Sequence, residues 1–175
     1  MKLWPVLTAG VVALSLVACK SPVPPKGVAP ITGFDASRYL GKWYEIARLE
    51  NRFERGLEQV TATYGERDDG GISVLNRGYN PQSHKWSESE GKAYFTGAST
   101  TGALKVSFFG PFYGGYNIIA LDDNYQYALV SGPNRDYLWI LSRTPTIPDT
   151  VKFNYLRIAS QLGFATEALL WVKQQ

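Results

Sequence analysis

Few side chains in this sequence have the type and the neighbours that covalent catalysis requires. His84 is the one histidine, and it lies close to the turn signal Asn80-Pro81, where an exposed loop is expected. The sequence contains no Gly-x-Ser-x-Gly, no His-Glu-x-x-His and no glycine-rich phosphate loop. One histidine and one cysteine are too few ligands for a metal centre, and too few oxygen ligands follow Asp68-Asp69 for calcium. The sequence therefore predicts a protein that is not an enzyme and holds neither a metal nor a cofactor.

The single cysteine, Cys19, has a predictable chemistry. Residues 1–18 have the features of a signal peptide, with Lys2 before an apolar segment that is shorter than a membrane-spanning helix. The sequence Leu16-Val17-Ala18-Cys19 resembles a bacterial lipobox, in which the cysteine is acylated and becomes the first residue after cleavage. Three acyl chains are enough for stable anchoring. The alternative is an ordinary cleavage site that happens to precede a cysteine.

Residue 20 bears on the destination of such a lipoprotein. In the enteric pattern an aspartate there signals retention in the inner membrane, whereas this sequence has Lys20. The resemblance therefore implies the outer membrane, with the protein facing the periplasm. Residues 19–33 are predicted to form a lipidated, flexible, proline-rich tether of about 30 Å, since extended proline-rich chain rises ~3.1 Å per residue.

The composition favours a β architecture for residues 34–175. Aromatic residues make up 14% of the chain and charged residues only 19%. The net charge of +3 comes from scattered residues rather than from a basic run, so a nucleic-acid partner is not expected. Eight short strands without intervening helices favour an antiparallel sandwich or an up-and-down barrel. The predicted strands are Gly41–Glu50, Glu58–Arg67, Ile72–Tyr79, Lys85–Thr96, Ala103–Phe109, Tyr116–Leu121, Tyr127–Ser131 and Tyr137–Arg143.

One helix and a short strand are predicted after the eighth strand. The helix begins near Thr146-Ile147-Pro148-Asp149 and ends at Gly163, with Phe164 folding back. Its apolar face contains Val151, Tyr155 and Leu162 at helical spacing. The last strand is Leu169–Val172.

Two motifs at the ends of the strand series resemble the signature of the lipocalin family. Gly41-Lys42-Trp43 opens the first strand, and Arg143 ends the eighth. In an up-and-down barrel these two ends meet, and the Arg143 guanidinium is expected to stack on Trp43. The surrounding sequence is similar to bacterial outer-membrane lipocalins and to apolipoprotein D. The resemblance implies an eight-stranded antiparallel lipocalin barrel with one C-terminal helix, and it allows a homodimer.

The ligand site is predicted at the end of the barrel opposite Trp43 and Arg143. Alternation places Trp43, Glu45 and Ala47 on one face of the first strand. Resemblance to apolipoprotein D favours three of the candidate residues, Tyr64, Asn76 and Trp139, and alternation or a place in the open-end loops gives the others. The full set of candidate ligand-binding residues is Tyr64, Asn76, Phe108, Tyr113, Tyr137 and Trp139. The alternative for each aromatic residue is simple filling of the core.

The function that the resemblance implies is storage or transport of fatty acids or lysophospholipids for maintenance of the cell envelope. Two alternatives belong to other classes of protein. One is a lipocalin-fold enzyme that acts on a lipid or pigment and uses Glu45 or a similar inward carboxylate. The other is a protein-interaction module whose barrel is filled by its own side chains.

Overall fold

The structure is a computed structural model that describes residues 21–175. The predicted signal peptide and Cys19 lie outside the described residues. None of the helices in residues 21–175 has the length and apolar character needed to cross a membrane.

Eight antiparallel strands close into a barrel, as predicted. Each strand pairs with the next in the chain, and β1 closes the barrel by pairing with both β8 and β2. A ninth strand continues the sheet beside the second half of β1, where β2 has separated from it. The strands are β1 Gly41–Leu49, β2 Glu58–Glu66, β3 Ile72–Asn80, β4 Lys85–Phe95, β5 Ala103–Phe109, β6 Phe112–Leu121, β7 Tyr127–Ser131, β8 Leu138–Ser142 and β9 Leu169–Trp171.

Two α-helices and one short 3-10 helix, Thr166–Ala168, accompany the barrel in residues 21–175. The short α1, Ala36–Tyr39, precedes β1 and was not predicted; the Asp35 carboxylate accepts a hydrogen bond from the Ser37 amide at its start. The long α2, Asp149–Gln161, packs on the outside of the barrel. It ends as predicted, because Gly163 has a φ of +85° and the Phe164 amide donates to the Ala159 carbonyl.

The buried side chains form one layer inside the barrel and another beneath α2. Strand β8 supplies both layers, with Leu141 and Trp139 inside and Leu138 and Ile140 beneath the helix. This explains why β8 is apolar on both faces. The two layers together form the core that holds the barrel and the helix in one domain.

Two predicted details of the strands are wrong. Strand β6 begins at Phe112 rather than at Tyr116, since the backbone of Gly114 and Gly115 pairs with β5. The pairing of β1 with β8 shifts between Glu45 and Ala47. That bulge turns Ala47 away from the interior and into the layer beneath α2.

The proline-rich segment is not a free tether where the structure describes it. Residues 21–33 follow the outside of the barrel, and Val28 is buried in the layer beneath α2. The Arg135 guanidinium donates to the Lys26 carbonyl at 2.7 Å, and the Ile31 amide donates to Ile118 of β6. These contacts bind the segment to the domain.

Arg143 and Trp43 meet at the closed end of the barrel, as predicted. The guanidinium carbon lies 3.9 Å from the centre of the buried Trp43 ring. Arg143 also donates to the carbonyls of Tyr125, Lys42 and Arg38, which belong to three separate segments. The motif requires glycine at position 41, because φ there is +94° and a Cβ would lie 3.4 Å from Arg143 Nη1.

We expect the contact between Trp43 and Arg143 to stabilise the barrel as one unit. Trp43→Ala should lower the free energy of unfolding by about 3–5 kcal/mol, because it empties a buried site. Arg143→Ala should lower it by about 1–3 kcal/mol, through lost stacking and unpaired carbonyls. The double variant should lose less than the sum of the two single losses, as measured in urea melts. Strict additivity would contradict the coupling.

Candidate functional site

A cavity occupies the interior of the barrel and opens at the end opposite Arg143. Its volume is about 120 Å³. Most of its wall is apolar, and two carboxylates, Glu45 and Glu54, interrupt it. The apolar and aromatic lining residues include Phe34, Ile72, Val74, Leu104, Val106, Tyr116, Val130 and Leu141.

The structure brings together four of the six predicted ligand-binding residues. Tyr64, Asn76, Phe108 and Trp139 all line the cavity, on strands β2, β3, β5 and β8. Phe108 is 39% exposed, so it connects the interior with the surface at the open end.

Tyr113 and Tyr137 do not belong to the lining. Tyr113 lies in β6 rather than in a loop, and its ring packs against Lys105 and Tyr94. Tyr137 precedes β8 and stacks on the Trp139 ring at 6.0 Å. Tyr137 therefore supports a cavity residue, whereas Tyr113 packs on a neighbouring surface.

A cluster of charged residues lies beside the cavity, and most of it was not predicted. The guanidinium of Arg48 is fully buried and contacts Glu45 Oε1 and Glu50 Oε1, each at 3.0 Å. It also donates to the carbonyls of Glu54 and Leu57 in the loop between β1 and β2. Arg48 thus holds that open-end loop against the barrel. It can do so because a guanidinium has several N–H donors and can bind several oxygen atoms at once.

Glu54 reaches into the cavity from this loop. Its Oε2 atom accepts hydrogen bonds from Asn51 Nδ2 at 2.6 Å and from Trp139 Nε1 at 3.0 Å. Trp139 is therefore oriented by a carboxylate as well as by packing. No periodic pattern marks a loop residue as inward, so the only signal for Glu54 in the sequence is its place near the mouth.

Three tyrosines meet in the depth of the cavity. The Tyr116 hydroxyl lies 2.7 Å from the Tyr39 hydroxyl and 2.8 Å from the Tyr64 hydroxyl. Burial raises the pKa of all three phenols, so each stays neutral and can only donate or accept hydrogen bonds. Because the hydroxyls satisfy one another, the floor offers apolar ring surface to a guest.

The environment of Glu45 disfavours its charged form. Burial raises the pKa of the Glu45 carboxyl well above its usual range, and the neighbouring Glu54 raises it further. Arg48 acts in the opposite direction with less effect. A carboxyl with a raised pKa in a cavity can take part in acid–base chemistry or bind a ligand. The enzyme alternative therefore depends on Glu45. His84 is exposed in a turn, hydrogen-bonds to Tyr79 and does not line the cavity, so it is not a partner for Glu45.

The matching family model, described as a lipocalin-like domain, covers residues 34–174. The chain belongs to the lipocalin family. It is 64% identical to outer membrane lipoprotein Blc of Citrobacter freundii and 63% identical to that of Escherichia coli K12, over 99% of this chain and 98% of each relative. It is 32% identical to rat apolipoprotein D over 75% of this chain and 74% of that protein. Among solved structures, insecticyanin of the tobacco hornworm Manduca sexta has the same fold, with a TM-score of 0.69, 22% identity and coverage of 89% and 88%.

We expect Glu45 to make the stability of the barrel depend on pH. The folded protein holds the Glu45 proton more tightly than the unfolded chain does. Protonation therefore stabilises the fold at low pH, and this contribution is lost as the pH rises from the usual value of 4.5 through the raised pKa. Glu45→Gln removes the titration and keeps the shape. Urea melts from about pH 4 to pH 8 should show the parent losing stability relative to the variant; a constant difference would contradict the raised pKa.

Proposed function

We propose that this protein binds lipids with a single acyl chain, fatty acids or lysophospholipids, inside its barrel and releases them unchanged. The observation that carries the proposal is that the cavity has a large apolar part and a small charged part. Its floor and walls are apolar, and its charged groups are confined to Glu45 and Glu54. A guest with an apolar tail and a polar head fits this division, because tail burial is favourable and the head keeps polar partners.

The acyl tail supplies the driving force. Each buried methylene contributes about 0.8 kcal/mol, so a tail of ten methylenes gains about 8 kcal/mol before ordering costs are subtracted. The tail ends against the ring surfaces of Tyr39, Tyr64 and Tyr116, whose hydroxyls are already paired. This order places the tail on the floor and the head toward the mouth.

The charges favour a head group that carries an ammonium. The carboxylates of Glu45 and Glu50 contact the Arg48 guanidinium, and the Glu54 carboxylate lies beside Glu45, so the cluster stays acidic even when Glu45 is protonated. An ethanolamine head is attracted to such a cluster, and the carboxylate of a fatty acid is repelled by it. Lysophosphatidylethanolamine should therefore bind more tightly than a fatty acid of equal length at neutral pH.

The location is the outer membrane, with Cys19 as the acylated residue. The relatives named outer membrane lipoprotein match nearly the whole chain, including its first residues, which supports this location. The lipobox-like Leu16-Val17-Ala18-Cys19 supports acylation at Cys19. In the periplasm the protein would store or carry lipids for envelope maintenance. A homodimer stays a prediction.

We expect Cys19→Ser to abolish membrane attachment and to leave the domain folded, because Cys19 precedes the first described contacts of the chain. Metabolic labelling with palmitate followed by membrane fractionation tests this. Circular dichroism of the released protein provides the control for folding. Palmitate incorporation in the serine variant would contradict acylation at Cys19.

We expect lysophosphatidylethanolamine to change the fluorescence of Trp139 and to saturate at one molecule per barrel. Mature protein also contains Trp43, Trp86 and Trp171, so the signal must be isolated by substitution. Trp139→Phe should remove most of the response and weaken binding by about 1 kcal/mol, roughly fivefold in Kd. Trp86→Phe is the matched control, since Trp86 is exposed on the outside and should leave both unchanged.

The same titration separates the proposal from its rivals. An unchanged response in Trp139→Phe would contradict binding at this cavity. Mass spectrometry of the lipid after incubation distinguishes the enzyme alternative, because turnover would convert the lipid and reversible binding would not. Saturable binding would contradict a barrel filled by its own side chains.

A further inference from the structure

We infer that the open end of the barrel faces and touches the membrane that holds the acyl anchor, so that a lipid can pass directly between bilayer and cavity. The inference rests on the anchor of the proposed function and adds an orientation and a contact surface to it. The surface consists of Phe53, Phe109 and Phe112, which we call the mouth phenylalanines.

The path of the N-terminal segment is the first argument. At the closed end, Thr32 pairs with Thr101 of the β4–β5 connection, and the Gly102 amide donates to Ile31. Toward the N-terminus the segment follows the outside of the barrel, past the contact between Lys26 and Arg135.

Pro22 shows where the N-terminal end of the described segment lies. It lies against Gly115, and Pro133 packs against the same glycine. Pro133 belongs to the loop between β7 and β8 at the open end, and Gly115 lies three residues into β6 from its open-end start at Phe112. The described chain therefore begins beside the mouth.

The remaining chain is too short to reverse this placement. Cys19 and Ser21 are two residues apart, which spans at most about 7 Å. The nine residues of β1 extend roughly 30 Å from the closed end toward the mouth. An acyl group at Cys19 is therefore held close to the mouth. A free tether from Cys19 to Phe34 would impose no such orientation.

The mouth phenylalanines give the membrane a surface to contact. Phe109 and Phe112 are paired across the β5–β6 hairpin and are 81% and 77% exposed, and Phe53 in the β1–β2 loop is 69% exposed. Aromatic rings on two loops at one end are suited to the boundary between head groups and acyl chains. Phe108, next to the hairpin pair, lines the cavity and connects this surface with the interior.

The distribution of charge does not oppose this orientation. The closed end, residues 34–42, 67–71, 122–126 and 143, contains five aspartates against three arginines and one lysine. The four open-end loops, residues 50–57, 81–84, 110–111 and 132–137, contain equal numbers of acidic residues and arginines. A membrane surface with anionic lipids therefore does not attract the closed end in preference to the open end.

The first test measures orientation in the full acylated protein. Single cysteines replace exposed residues at the open end, Ser83→Cys, and at the closed end, Asn124→Cys; acylation leaves only the new thiol free for a fluorescent label. The protein is reconstituted in vesicles of phosphatidylethanolamine and phosphatidylglycerol that contain a lipid with a head-group quencher. Quenching should be several-fold stronger at residue 83 than at residue 124. Equal quenching or the reverse order would overturn the inference.

The second test removes the contact and keeps the anchor. Phe109→Ser combined with Phe112→Ser should stay in the membrane fraction, lower the quenching at residue 83 and slow uptake of a lysophospholipid from the vesicle several-fold. Its affinity for the same lipid supplied as monomers in solution should not change. Phe153→Ser on α2 is the matched control, because Phe153 is 66% exposed and lies away from the mouth.

The two tests also separate this inference from the proposed function. Unchanged quenching and unchanged uptake in the double variant would overturn the contact. Correct orientation without any binding of lysophospholipid would support the contact surface and contradict the ligand instead. Loss of membrane attachment in the parent would show that the anchor itself is wrong.

Discussion

The barrel depends on one arginine that joins its two ends in sequence. Arg143 follows β8, stacks on Trp43 of β1 and donates to carbonyls on three segments at the closed end. A barrel has no free edge only if its first and last strands meet, and their contact joins residues about a hundred positions apart in sequence. A single planar cation with several donors can satisfy carbonyls that no regular ladder reaches. Closing this end leaves the opposite end as the entrance, so the position of the cavity follows from the position of Arg143.

A second buried arginine shapes the entrance. Arg48 enters the interior because a bulge in β1 changes the alternation after Glu45. Its side chain binds Glu45 and Glu50 and the carbonyls of the β1–β2 loop, and that loop in turn places Glu54 beside Trp139. Burying a cation requires such partners, because an unpaired buried charge is costly. The same partners give the entrance its acidic character, so the structural need of Arg48 and the proposed preference for an ammonium head have one cause.

The N-terminal segment connects the anchor with the entrance. Because the chain packs on the barrel from Ile31 to Pro22, an anchor at its N-terminal end fixes how the barrel is oriented relative to the membrane. A flexible linker of equal length would not fix this orientation. Arg135 has a part in this packing, since it binds the Lys26 carbonyl and also the Leu162 carbonyl at the end of α2. The helix, the segment and the β7–β8 loop are thereby held together by one side chain. Orientation and ligand access become properties of the same packed surface.

Elements whose signals are local could be predicted from the sequence alone. Alternating apolar residues and turn residues marked the eight strands, Gly163 marked the end of α2, and Gly41, Trp43 and Arg143 identified the family and the closed end. Tyr64, Asn76 and Trp139 lie in regularly paired stretches of strand, where a period of two holds, and they line the cavity. Phe108 also lines it, although the pairing of β5 with β6 shifts between Val106 and Phe109.

Other features depend on contacts between distant residues and could not be predicted from a local pattern. A bulge moved Ala47 to the helix side, backbone pairing of Gly114 and Gly115 drew Tyr113 into β6, and a buried arginine brought Glu54 into the cavity. The proline-rich segment resembles a flexible linker in composition, and only its contacts with the barrel show that it is bound. In each case the deciding interaction joins residues distant in sequence or depends on strand pairing, and a pattern along one chain segment carries no information about either.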